Sequence, residues 1–175
     1  MSLPRPNSPR TAELGFSLVE VMVAVVLLAG FFASIFQLNA MCLRSINSSK
    51  ESLGALQGVQ DRTERLRNIA FADLTTPAFV QALLATRANP SPFLAKATEV
   101  VTISNYNPAA TPPITSDGVT RFTRSPNGTV TTNSTATTLP SGLVQVDVAI
   151  SWSRTIGGGP RIEQASTIIS NGTKR

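Results

Sequence analysis

Residues 15–36 read GFSLVEVMVAVVLLAGFFASIF, and the fold follows from this stretch. From Val21 to Phe36 only Gly30 and Ser34 fall outside the hydrophobic set. As a helix, residues 16–36 span roughly 30 Å, the thickness of a bilayer's hydrocarbon core. A helix apolar on every side either crosses a membrane or lies inside a large shell of protein. A chain of 175 residues is too short to build that shell. The reading is a transmembrane helix over 16–36, with Leu18, Val19, Val21, Val25, Leu28, Phe32 and Phe36 as membrane anchors. Glu20 is the anomaly. A carboxylate at the centre of a membrane helix costs about 2.5–3.5 kcal/mol, and less nearer its end. No basic residue occurs from Thr11 to Leu43. A partner for Glu20 must come from elsewhere in the chain, from another molecule, or from a new amino terminus made by cleavage.

On the N-terminal side, residues 1–15 (MSLPRPNSPRTAELG) are polar and proline-rich, with nothing that can pack. On the C-terminal side, residues 37–72 contain no proline. There Leu38, Cys42, Ile46, Leu53, Leu56, Val59, Leu66 and Ala70 recur at steps of three, four or seven, as one apolar stripe of an amphipathic helix. Lys50, Glu51, Asp61, Arg62, Glu64, Arg65 and Arg67 read as the opposite, solvated face. Asp61 and Arg65 stand at i,i+4 with the acid N-terminal, the better orientation. Gly54 and Gly58 each weaken the helix by about 1 kcal/mol relative to alanine. The pattern predicts one helix from Phe16 to about Phe71, half in lipid and half amphipathic. Cys42 is expected to be a small buried hydrophobe on it.

From Pro77 onward the material changes, and nine of the twelve prolines lie there. A short helix is expected over 78–88, ended by Asn89-Pro90-Ser91-Pro92. Strands are expected over 98–104, 119–123 and 128–132. The clearest strand is 143–153, where Val144, Val146, Val148, Ile150 and Trp152 alternate with polar residues. After a glycine-rich turn, 161–170 returns beside it with Ile162, Ile168 and Ile169. Trp152 is expected as a core anchor under the helix. The fold class is α+β, a long N-terminal helix against a small antiparallel sheet, with 73–175 as a β-rich head.

Composition narrows the chemistry. The chain has no histidine, which removes imidazole-based triads and histidine-bound zinc. Its one cysteine removes internal disulfides and multi-cysteine metal sites. Lys50 among serines could suggest a Ser/Lys hydrolase, but a lysine on a solvated helix face has nothing to desolvate it. The expectation is no enzyme, no cofactor and no metal. The net charge is +5. Arg121, Arg124, Arg154 and Arg161 could form a nucleic-acid patch, although no aromatic residues interleave with them. Asn47, Asn127, Asn133 and Asn171 each begin an N-x-S/T triplet, which a chain rich in Ser, Thr and Asn forms by chance.

Gly15-Phe16-Ser17-Leu18-Val19-Glu20, followed by the apolar run, resembles the class III signal of type IV pilins and of the pseudopilins of type II secretion. The resemblance implies a pilin-like fold and cleavage by a prepilin peptidase between Gly15 and Phe16. It also implies N-methylation of Phe16 and pairing of Glu20 with the terminal ammonium of a neighbouring subunit during assembly. It divides the chain into a cytoplasmic leader (1–15), a transmembrane helix (16–36), its amphipathic continuation (37–72) and a head (73–175). The protein would sit in the bacterial inner membrane with a periplasmic head, then in a pilus or pseudopilus. Its partners would be the peptidase, membrane lipid, and other major or minor pilins or pseudopilins reached by helix bundling. The alternating valines, Trp152 and the glycine-rich turn resemble minor subunits such as the type IV pilus modification protein PilV and its pseudopilin counterparts. Gln37 stands where many major pilins carry a helix-bending proline, and no C-terminal cysteine pair is present, which favours a minor subunit. The alternative is a membrane-anchored module whose head binds DNA or a surface ligand.

Overall fold

No proline interrupts the chain between Pro9 and Pro77, and Ser17 supplies an N-cap oxygen. A helix can therefore run without a break, and in the computed structural model α1 (Leu18–Asn68) does so for 51 residues. The structure describes residues 17–109, 111, 113, 118–134, 142–154 and 159–172. It divides into two units, one ending at Leu43 and one beginning at Arg44.

In the first unit α1 is long and apolar enough to cross a membrane. The predicted anchors Leu18, Val19, Val21, Val25, Leu28, Phe32 and Phe36 are all exposed, as are the residues between them. Cys42 is exposed as well, which corrects its expected burial. Among the described residues, no other element of its own unit lies over that turn of the helix.

The second unit holds the rest of α1, two short helices and one sheet. α1 stops at Asn68 rather than near Phe71, and α2 (Phe71–Leu74) follows as a separate turn. α3 (Pro77–Ala85) begins with Pro77 at its first position, where a missing N–H costs nothing. It ends before the expected residue 88 because Thr86 is extended, at φ −96° and ψ 148°. A 3₁₀ turn covers Pro92–Ala95.

Five strands follow: β1 (Thr98–Asn105), β2 (Thr120–Arg124), β3 (Val130–Ser134), β4 (Leu143–Ser153) and β5 (Pro160–Ser170). They form one antiparallel sheet in the order β3-β2-β1-β4-β5. β4 coincides with its expected limits. β3 starts at Val130 instead of Gly128, because Gly128 takes φ +89° in a turn whose N–H bonds to the Ser125 carbonyl at 2.9 Å. The turn expected over 155–160 lies largely outside the described residues.

Register puts alternate residues on one face. Val101 pairs with Val148 and Phe122, and Ile103 with Val146 and Thr120. With Val144, Ile150 and Trp152 these side chains build the sheet's half of the core. On β5 the same parity selects Ala165 and Ile169, while Ile162 and Ile168 point to the other face and are exposed. Trp152 is the anchor the sequence suggests: it is 6% exposed and meets Phe93 edge-on at 5.2 Å.

The helix supplies the other half through a stripe that shares Val59 and Leu66 with the expected one and otherwise departs from it. Ala55, Gly58, Val59, Arg62 and Leu66 are buried, at steps of three and four. Leu38, Ile46, Leu53, Leu56 and Ala70 are exposed. At about 100° per residue, Leu53 lies opposite Ala55 and Arg62 on the helix, and Leu56 stands about 100° round from Ala55. Close approach decides the choice. A Cβ on Gly58 would stand 2.8 Å from Ile150 Cδ1 and 3.0 Å from Leu94 Cδ1. The narrow Ala55–Gly58 flank lets the backbone reach the sheet, which the Leu53–Leu56 flank does not.

Candidate functional site: the N-terminal turn and the buried arginines

Gly15 and Phe16 lie outside the described residues. The next residues form a helix start that the sequence reading missed, though its signal is present. Ser17-Leu18-Val19-Glu20 is an S-x-x-E capping pattern. Ser17 Oγ accepts the Glu20 N–H at 3.2 Å, and the Ser17 carbonyl accepts the Val21 N–H, also at 3.2 Å. Glu20 therefore sits in the first turn, where the helix dipole favours a negative charge. Its carboxylate heads a flank formed by Val21, Ala24, Val25 and Leu28. Among the described residues no ion pair involves Glu20.

The second functional arrangement was assigned to solvent and is buried. Arg62 has no exposed surface. Its Nε donates to Glu99 Oε1 at 2.5 Å and its Nη2 to Glu99 Oε2 at 3.1 Å. Nη1 donates to the Leu83 carbonyl at 3.0 Å and Nη2 to the Thr86 carbonyl at 2.7 Å. One guanidinium thus joins α1 to β1 and caps the C-terminal end of α3, whose last carbonyls lack intrahelical donors. The clue in the sequence was register: position 62 continues the 55–59–66 stripe that the core uses. Glu51, also placed in solvent by the reading, is half-buried and accepts the Trp152 Nε1–H at 3.3 Å. Lys50 is exposed on the same helix and borders Phe93 and Ser91.

The four arginines considered as a nucleic-acid patch do not form one surface. Arg121 faces outward from β2, while Arg124, three positions on, is 5% exposed on the core side. Arg154 and Arg161 line a cleft with Arg44, Ser45, Ser48, Ser49 and Ser52. Sheet parity separates Arg121 from Arg124, and strand order places β2 two strands away from β4.

With this geometry in place, one comparison with known proteins is informative. Residues 10–29 match the family model described as the prokaryotic N-terminal methylation motif. No curated protein and no solved structure matches the chain. The motif covers 20 of the 175 residues and supports a class III signal of the type IV pilin kind, which prepilin peptidase processes. It implies assembly with other pilins and suggests a structural subunit rather than an enzyme. The long apolar α1 that follows fits membrane anchoring.

Proposed function

We propose that this chain is a minor pilin or pseudopilin that helps to initiate or modify a type IV pilus or a type II secretion pseudopilus. Prepilin peptidase cuts between Gly15 and Phe16 and methylates Phe16. The segment 16–36 holds the subunit in the inner membrane with its head periplasmic. Its helix then leaves lipid for a bundle with the helices of other subunits. Gln37 in place of proline and the missing cysteine pair support a minor role of the PilV kind.

The observation that carries the reading is the unbalanced carboxylate. Glu20 follows the matched glycine–phenylalanine pair by four residues on an apolar helix surface, and no basic side chain lies between Thr11 and Leu43. A cleaved amino terminus brought by another subunit provides the missing cation. The test is co-expression with a prepilin peptidase, followed by intact-mass measurement of the purified chain. The expected product begins at Phe16 and carries one added methyl group. A product with any other first residue removes the proposal.

A further inference from the structure

The geometry points to a binding site for a phosphoryl group, a tetrahedral dianion, in the cleft formed by Arg65, Arg87 and Arg124. Three elements meet there: α1 contributes Arg65, the loop after α3 contributes Arg87, and the end of β2 contributes Arg124. Thr86 and Asn89 add polar groups to the lining.

Among the described residues no salt bridge answers the arginines of this cleft. Arg124 is 95% buried, the complement of its 5% exposure, and its Nε is shielded from solvent with no hydrogen-bond partner. A buried guanidinium nitrogen without an acceptor is rare, and its unmet donor favours a ligand that brings acceptor oxygens. The neighbouring acids already have hydrogen-bond partners. Glu99 is the cross-strand neighbour of Arg124 and gives both oxygens to Arg62. Asp61 precedes Arg65 by one helical turn and accepts the Asn89 amide at 3.1 Å. Glu64 pairs with Arg67 at 2.9 Å. Among the described residues no ion pair reaches Arg65, Arg87 or Arg124. Guanidinium groups match phosphoryl oxygens with paired N–H donors. Three of them lining one cleft from different elements suit a dianion better than a single carboxylate, which one bidentate guanidinium already satisfies. The site lies wholly within the head unit and does not depend on the assembly reading above.

The test uses the full chain in detergent, with inorganic phosphate as the probe and sodium chloride at matched ionic strength as the reference. Phosphate is expected to raise the melting temperature beyond chloride and to bind with measurable heat. Arg65→Gln and Arg87→Gln change exposed side chains and leave the core intact, and each is expected to weaken binding about fivefold or more. Arg124→Gln is expected to abolish it. Arg121→Gln, on the outer face of β2, is expected to leave binding unchanged. The proposal is overturned by an absence of phosphate effect over chloride, by equal stabilisation with acetate, or by an equal loss in Arg121→Gln. It is also overturned if neither Arg65→Gln nor Arg87→Gln weakens binding. Competition by a short oligothymidylate supports the site and assigns the phosphoryl group to a polymer backbone. Phosphate binding without that competition supports it as a site for free or terminal phosphate.

Discussion

Gly54 and Gly58 lie one turn apart on α1 and have opposite reasons to be glycine. At Gly54 an added Cβ would find Phe93 Cδ1 at 3.4 Å, an ordinary contact. At Gly58 it would press on Ile150 and Leu94, both inside the core. Helix propensity favours alanine by about 1 kcal/mol at either position. Overpacking a core costs about 1–3 kcal/mol. Gly54→Ala is therefore expected to stabilise the protein by about 0.5–1 kcal/mol, since propensity acts there alone. Gly58→Ala is expected to destabilise it by up to about 2 kcal/mol, the crowding outweighing the propensity gain. Urea unfolding of the two variants under one set of conditions checks the pair. Equal effects would show that the helix does not approach the sheet at Gly58. At this scale sequence alone was mute: both glycines read as equal weak points, because the difference lies in what faces them across the interface.

Among elements, the join between α1, α3 and β1 rests on the Arg62–Glu99 pair. A buried ion pair is weak evidence of net stability, but breaking one costs about 3–5 kcal/mol through the charge left behind. Arg62→Met is expected to lose an amount in that range, since the buried Glu99 carboxylate loses its partner and the Thr86 carbonyl its donor, while the Leu83 carbonyl keeps only the Thr86 hydroxyl. Arg62→Met combined with Glu99→Met is expected to recover most of the loss, leaving only the uncapped end of α3. Thermal melts of the single and double variants form the cycle that measures it. A double variant as unstable as the single one would show that the guanidinium acts chiefly on α3, not on β1. This join explains what was legible in the chain and what was not. The alternation from Val144 to Trp152 has a period of two that nothing else imitates, so β4 and the inner face of the sheet could be read directly. The period of α1 could be read equally well, but not its phase. One flank holds Leu53 and Leu56 and the other Ala55, Gly58 and Arg62, and the expected stripe joins the first of these to Val59 and Leu66. Hydrophobicity alone ranks the leucine flank first. The sheet selects the other, because small residues let the backbones approach and because Arg62 finds a carboxylate only from that side. Arg62 was misplaced for the same reason: a charge reads as solvated until its partner, distant in sequence, comes into view.

For the molecule as a whole, one polar atom group in the N-terminal unit stands apart from everything the head needs to fold. The core is built from residues at and beyond Ala55, all of them in the head unit. The N-terminal turn is already closed by Ser17, whose Oγ accepts the Glu20 backbone N–H and not its carboxylate. Replacing the carboxylate therefore removes charge without removing a structural bond. On the proposed reading its use is intermolecular, as the counterion of another subunit's amino terminus in a medium of low dielectric, where a lone charge is costly and a pair is less so. Glu20→Leu is then expected to leave the head's melting temperature and membrane insertion unchanged, since a leucine suits lipid better than a carboxylate. It is also expected to abolish the co-purification of other processed subunits from cells that express the assembly machinery. Loss of both stability and assembly would make Glu20 a folding residue. Unchanged assembly would mean that the carboxylate is not the amine's partner, and the cation that answers Glu20 would have to be sought elsewhere.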